Sequence, residues 1–521
     1  MLTALLVIPI IGVLIVSLLP SNLQSDRLRQ ITLLISIAPF LWTIYLFFQF
    51  DLDTGGFQFS EFIPWLEPIG LNYHLSVDGI SLPLVSLNSF LSAIAIYSTS
   101  LKIERQRLYY ILILLVNFGV AGALMAQNLL LFFLFYEVEL IPFYLLISIW
   151  GGEKRGYAAT KFILYTAVSG LLIIAAFLGL AFLNETGNFE YETITTAGLS
   201  LKTQLILLTL ILVGFGMKTP LVPLHTWQPD AYVEASPPVA ILLGGVLAKL
   251  GTYGIIRFGL QLFPETWNLT APGLAIIGVI SVIYGALTAI AQTDIKRMVA
   301  YSSIGHMGYI LVASAAGTSL SVLGAVAQMI SHGLILALLF QLIGTVEEKV
   351  GTRDRDVLNG LMNPIRGLPL TSGLLIAAGM ASAGIPGLVG FVAEYIVFQG
   401  SFSRFPIETI LCIIASGLTA VYFVILLNRT CFGKLDNSLA YYPQVLWSER
   451  LPALILTLII FAFGIQPNWL VHWIEPTTNQ VVSMLTPKWQ DSYYSAIASS
   501  ENPQQKPVGW VKRSETQQLS H

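Results

Sequence analysis

Apolar runs long enough to cross a lipid bilayer follow one another almost without pause from Met1 to about residue 468. A spanning helix needs roughly 20 predominantly apolar residues. Fourteen such runs are read here, at about 1–20, 30–50, 79–100, 108–126, 128–150, 159–183, 203–225, 237–260, 271–292, 297–317, 320–345, 369–400, 405–428 and 451–468. Backbone in lipid must satisfy its own N–H and C=O groups, so each run is expected to be helical. With 55% hydrophobic and 11% charged residues, the chain is too apolar to be water-soluble. The expectation is an all-α, multi-pass membrane protein of 14 transmembrane helices. The first run lacks a basic region and a small-residue cleavage site, so it reads as a retained helix.

Orientation follows from the basic residues, which concentrate in short loops on the cytoplasmic side. Six of the seven alternate connections carry them: Arg27 and Arg29; Lys102, Arg105 and Arg107; Lys154 and Arg155; Lys296 and Arg297; Lys349, Arg353, Arg355 and Arg366; Arg429, Lys434 and Arg450; the remaining one, 225–236, has none. The opposite connections have almost none, and 51–78 is acidic (Asp51, Asp53, Glu61, Glu67, Asp78). That alternation places both termini on the non-cytoplasmic side.

Within the apolar runs, Lys218 (LTLILVGFGMKTPLVPL) and Lys249 (ILLGGVLAKLGTYGII) have no neighbouring water to solvate an ammonium. A charge at membrane depth costs from about 2.5 to well over 10 kcal/mol, so it faces a bundle interior and a partner. Glu137 (LLLFFLFYEVELIPFYLL) and Glu394 (IPGLVGFVAEYIVF) supply acids at comparable depth. Burial and opposing charge pull a proton affinity in opposite directions, so a buried pair that opens and closes can pass protons. The sequence reading pairs Glu137 with Lys218, passes the proton to Lys249, and uses His306 (AYSSIGHMGYI) and His332 (AQMISHGLI) to bridge to Glu394 as the terminal relay. Unperturbed histidine titrates near neutral pH, which suits a bridge; a plain hydrogen-bonded packing role is the competing reading for both. Glu139 lies about 200° around the helix from Glu137, so both cannot face one partner. Glu137 is preferred as the relay, a subunit contact is one alternative for Glu139, and Lys161 reads as a snorkelling interface lysine. His225, Asp230 and Glu234 fall where a cytoplasmic mouth should lie.

Other chemistries are excluded by what is missing. Cys412 and Cys431 cannot supply the four thiolates of an iron–sulfur cluster. The six histidines show no metal-ligand spacing. Gly244, Gly245, Gly251 and Gly254 follow no strand and read as helix-packing glycines rather than a phosphate loop. No cofactor is expected in this chain.

Two runs are interrupted near an ionisable residue: Pro220 and Pro223 follow Lys218, while Gly384, Pro386, Gly387 and Gly390 precede Glu394. Broken helices in matching positions point to an inverted-repeat transporter site, here helices 7 and 12 of two inverted five-helix repeats. The expected organisation is 1–107 as flanking helices 1–3 with an interfacial loop at 51–78, and 108–260 and 271–428 as the repeats. A last helix and amphipathic segment occupy 429–486, and 487–521 form a polar C-terminal tail.

The segments GMKTPLVPLHTWQPDAYVEA, LAKLGTYGIIRF, AYSSIGHMGYI, ISHGL and GIPGLVGFVAEYIVF resemble the antiporter-like membrane subunits of complex I, through most of the chain. The resemblance implies two inverted five-helix repeats and proton translocation driven by redox chemistry in partner subunits. By motif, the pumping residues fall on Glu137, Lys218, Lys249 and Glu394, with His306 and His332 between. Glutamate at 394, where other paralogues and sodium/proton antiporter subunits carry lysine, resembles the M/D-type chain 4, as does WGGEKRGYAATKFILYTA. The nearest resemblance is to the cyanobacterial D-type subunit of the type I NAD(P)H dehydrogenase, in its carbon dioxide uptake variant. It implies a thylakoid membrane with lumenal termini, membrane and peripheral partner subunits including antiporter-like paralogues, and a carbon dioxide hydration protein. It also implies ferredoxin and plastoquinone acting at the level of the complex, and surrounding lipid, but no nucleic acid. Plastoquinone, iron–sulfur clusters and any zinc would belong to partners. Gln228 and Tyr232 depart from the family pattern HTWLPDAH, which removes a proton-loading histidine at 232. The alternative function is a multisubunit cation (Na+)/proton antiporter subunit, and a third reading is a non-pumping scaffold.

Overall fold

The computed structural model describes residues 1–20, 22–183, 187–434, 442–483 and 485. The polar tail expected at 487–521 lies outside them. The N-terminal part comprises α1 (Thr3–Leu18), α2 (Ser25–Gln49), α3 (Ser81–Ser98) and α4 (Gln106–Met125). It continues as α5 (Leu129–Trp150), α6 (Arg155–Leu183), α7 (Leu201–Lys218), the short α8 (Trp227–Glu234) and α9 (Pro237–Leu260). Then follow α10 (Pro264–Ala291), α11 (Ile295–Ala316), α12 (Ser319–Val350), α13 (Pro369–Ser382) and α14 (Val389–Phe402). The chain closes with α15 (Pro406–Thr430), α16 (Trp447–Ile465) and the amphipathic α17 (Asn468–Ser483). Among the described residues, 11 helices are long and apolar enough to cross a membrane, and α1, α13 and α14 are shorter apolar helices.

Helix limits follow local chemistry. The Asp294 side chain accepts from the Lys296 and Arg297 amides to open α11, which stops at Gly317 in the left-handed region (φ 59). Thr318 and Ser321 form a reciprocal capping box for α12. The windows of α9 and α12 are wholly buried, so these two helices form the centre of the bundle.

Four irregularities within the bundle carry the site. The expected run 203–225 is helical only as far as Lys218, and 369–400 is split. α7 stops at Lys218 and α8 begins at Trp227, because Pro220 and Pro223 offer no backbone N–H to continue the ladder. α13 and α14 are separated by residues 383–388, where Gly384 (φ 69) and Gly387 (φ 91) take the left-handed backbone that only glycine enters readily. Third, α5 is interrupted at Glu139, between helical segments Leu129–Val138 and Leu140–Trp150. Pro142 there withholds the N–H that the Val138 carbonyl would otherwise receive. α9 also widens into π-helical turns at Leu243–Leu247 and Ile255–Leu260, a distortion found mostly at functional sites.

The all-α expectation needs one correction. Segment 51–78 contains an antiparallel hairpin, β1 (Gln58–Leu66) and β2 (Leu71–Val77), paired through Phe62–His74 and Ile63–Tyr73. The alternation of Leu71, Tyr73, Leu75 and Val77 with Asn72, His74 and Ser76 suits a strand rather than an irregular loop, and Gly70 (φ 71) makes the reversal. The hairpin is tied to segment 187–199: His74 Nδ1 lies 2.7 Å from Glu190 Oε2, and Asn72 and Asn128 donate to Glu190 Oε1 at 2.9 and 2.8 Å. Burial alone would raise the Glu190 proton affinity, but these partners hold its carboxyl below the ordinary range. Thr3, Tyr73, Glu190, Gly79 and Thr477 thus gather at one end of the bundle. The other end holds the basic connections, tied for example by Arg107 to the Pro20 carbonyl (2.8 Å) and Lys349 to Glu449 (2.7 Å).

Candidate functional site

Lys218 is the last residue of α7, so its ammonium emerges where the helix breaks. It is buried and ion-paired with Glu139, itself fully buried. The Nζ also stands 3.6 Å from the centre of the Tyr136 ring, a desolvated cation–π contact. The Tyr136 hydroxyl is fixed by Ser169 (2.8 Å), which donates onward to the Gly214 carbonyl (2.8 Å). The anticipated Glu137–Lys218 pairing is therefore corrected: Glu139, and not Glu137, makes the contact. Glu137 is half-buried against Gly170 of α6, where an added side chain would collide with its carboxylate. The interruption at Glu139 turns that residue inward, which the 200° argument for an unbroken helix did not anticipate. Glu139 is correspondingly in the interior and not at an outer surface.

Lys249 is held differently. Its Nζ donates to the Gly244 carbonyl, exposed by the first π turn of α9, and lies 2.9 Å from His332 Nδ1 on α12. When Lys249 is protonated Nδ1 accepts and His332 Nε2 carries the hydrogen; Nε2 is buried with no hydrogen-bond partner in the protein. The His332 ring faces His306 of α11, with centroids 5.0 Å apart. His306 Nδ1 sits 3.1 Å from Gln328 Nε2 and 3.5 Å from Glu394 Oε1, while its Nε2 sits 3.2 Å from Ser382 Oγ. Gln328 Nε2 can only donate, so His306 Nδ1 accepts from it, and the 3.5 Å approach to Glu394 is the longer of the two polar contacts at this nitrogen. Glu394, on α14 just beyond the second break, accepts from Ser416 at 3.0 Å. Close by lies Gly384, where a side chain would crowd the same carboxylate.

Lys249, His332, His306 and Glu394 thus form one buried line across four helices, all within 2–4% exposure. Lys218 ends α7, which packs closely on α9: a side chain at Gly251 would strike Thr219, and one at Gly254 would strike Phe215. These glycines serve close helix approach, as the sequence reading held. Among the described residues, no three His, Cys, Asp or Glu side chains come together to hold a metal ion.

Around α8 the structure adds detail. Lys161 is not a free snorkelling lysine: its Nζ pairs with Asp230 at 2.9 Å, and Arg297 reaches the same carboxylate at 3.0 Å. Glu234 accepts from the Lys154 amide at 2.8 Å. His225 packs against Tyr284. Lys296, read as a loop residue, is instead buried and donates to the Ala235 carbonyl at 2.6 Å. Sequence reasoning also missed the buried Asp78–Arg257 ion pair, which fixes the second π turn of α9 to the start of α3. Its one visible signal was Arg257 in the apolar run LAKLGTYGIIRFGL.

Residues 126–419 match the family described as NADH:quinone oxidoreductase/Mrp antiporter, TM. The chain belongs to this family. Curated relatives include NAD(P)H-quinone oxidoreductase chain 4 3 of Trichormus variabilis, 38% identical over 514 residues covering 95% of both chains. NAD(P)H-quinone oxidoreductase chain 4 2 of Thermosynechococcus vestitus is 39% identical over 492 residues, 92% of this chain and 91% of that one. Among solved structures, respiratory complex I from Thermus thermophilus with bound NADH contains a chain of the same fold, with TM-score 0.84 and 26% identity, covering 93% of this chain and 100% of that one. The Mrp complex from Dietzia sp. matches with TM-score 0.83 at 19% identity, covering 93% and 99%, and shares the fold.

Proposed function

We propose that this chain is a proton-translocating membrane subunit of a multisubunit NAD(P)H/ferredoxin–plastoquinone oxidoreductase. The observation that carries the reading is the buried line Lys249–His332–His306–Glu394, together with the Lys218–Glu139 pair at the first helix break. Buried ionisable groups at membrane depth, paired across broken helices, are how proton paths are built. Opening the Lys218–Glu139 pair would drive a proton toward Lys249, and Glu394 would release it; Glu137 is a second acid beside the pair. The similarity to chain 4 relatives along nearly the whole chain supports a role in such a complex. The same proposal takes the fold as fourteen spanning helices with inverted repeats at 108–260 and 271–428, in a cyanobacterial thylakoid membrane with lumenal termini. Its partners would be antiporter-like paralogues and peripheral redox subunits, with carbon dioxide uptake as the variant's task. Affinity purification of the intact complex through a tag on this chain, with subunits identified by mass spectrometry, tests the reading. Recovery of quinone-oxidoreductase subunits is the expected result, and a carbon dioxide hydration protein among them supports the variant. Recovery of small antiporter subunits alone would overturn the redox assignment.

A second reading, a cation (Na+)/proton antiporter subunit, is favoured by the fold shared with the Mrp complex. Sodium-dependent proton movement in vesicles lacking any electron donor would support it.

A further inference from the structure

We propose that Tyr232, backed by Gln228, is the hydroxyl that delivers protons to Lys249; this rests on the relay reading above. α8 is two-faced. Asp230 and Glu234 look toward the polar end of the bundle and bind Lys161, Arg297 and the Lys154 amide. One half-turn away, Gln228 and Tyr232 are spaced i, i+4 on the opposite face, and both are fully buried. The Tyr232 hydroxyl donates to the Leu243 carbonyl at 3.0 Å. The very next carbonyl, Gly244, receives the Lys249 ammonium. Both belong to the π turn Leu243–Leu247, which opens these acceptors to side chains. Phenol and amine therefore stand on adjacent carbonyls of one widened turn.

Gln228 completes the approach. Its Nε2 donates to the Ala300 carbonyl at 3.0 Å. Its Oε1 is buried without a donor from the protein, the kind of acceptor that an internal water satisfies. The proton count closes without changing Tyr232. A proton brought by water at Gln228 bonds to the phenol oxygen, the original phenol proton moves to the neutral Lys249 amine, and Lys249 gains one positive charge.

The competing explanation is packing, since the Tyr232 ring also meets Phe340 and Trp227 edge-on. Tyr232→Phe keeps that ring and removes only the hydroxyl, whereas Tyr232→His restores a proton carrier in a poorer shape. The test is the initial rate of redox-driven proton uptake by the purified complex in vesicles carrying a pH-sensitive dye, with Lys249→Ala alongside. Expected is a fall of about tenfold for Tyr232→Phe, recovery of part of that rate in Tyr232→His, and a smaller fall for Gln228→Leu. Unchanged uptake in Tyr232→Phe with impaired Lys249→Ala would overturn this inference and leave the relay standing. Full uptake in Tyr232→Phe together with a loss in Tyr232→His would assign Tyr232 to packing. Unchanged uptake in Lys249→Ala would overturn the relay itself.

Discussion

The two buried lysines are held in opposite ways. Lys218 has a carboxylate and an aromatic face against it, while Lys249 has only a carbonyl and a histidine. A buried ammonium with a carboxylate partner is locked in its charge until the pair separates, because removing either partner leaves an uncompensated ion. A lysine facing neutral acceptors has no such lock. It can gain or lose a proton without tearing apart a salt bridge. The first arrangement suits a gate and the second a way-station, and each stands at a distorted helix that supplies the necessary backbone groups.

Substitutions can break this contrast, and the largest effect should come from Lys249→Ala. It removes the way-station without orphaning a carboxylate, so proton uptake should fall about a hundredfold in a complex that still assembles. Retention of uptake would show that protons bypass α9. Next, Glu139→Gln leaves the Lys218 ammonium buried and unpaired, at a cost of about 3–5 kcal/mol. Thermal unfolding of the purified complex should register it, with Glu137→Gln far milder; equal effects would restore Glu137 as the partner. His332→Ala should lower uptake only in part, since His306 remains against Glu394, and a loss matching Lys249→Ala would make His332 obligatory. The smallest effect concerns the hairpin end. Because the Glu190 carboxyl is held below its ordinary range, its contribution is complete above the ordinary carboxylate range and fades as pH falls through the lowered value. The melting difference between the native chain and Glu190→Gln should therefore shrink on acidification; a difference that grows would contradict the assignment.

Much of this was legible because charge inside an apolar run has few explanations. Lys218, Lys249 and Glu394 stand out by composition alone, and the two breaks announce themselves through Pro220, Pro223, Gly384 and Gly387. The partner of Lys218 was not legible. Two glutamates two residues apart occupy opposite faces of a regular helix, and the interruption at Glu139 that Pro142 promotes decides which turns inward. The π turns of α9 have no sequence signature, so neither the Gly244 carbonyl beneath Lys249 nor the Leu243 carbonyl beneath Tyr232 could be foreseen. Lys296 was misread for a related reason: loop charge and a lysine tucked under a helix end look alike in one dimension. The hairpin was hidden only by the expectation that a membrane chain of this composition is helical throughout.

The central claim, that protons occupy the buried line and leave it through Glu394, is open to direct observation. Time-resolved infrared difference spectroscopy of the complex during turnover, compared with Glu394→Gln, reads the carboxylic acid C=O stretch of this one side chain. The account predicts a band that rises and decays within each turnover and is missing in the variant, which should assemble but fail to release protons. An unchanging band, with proton release intact in Glu394→Gln, would contradict it.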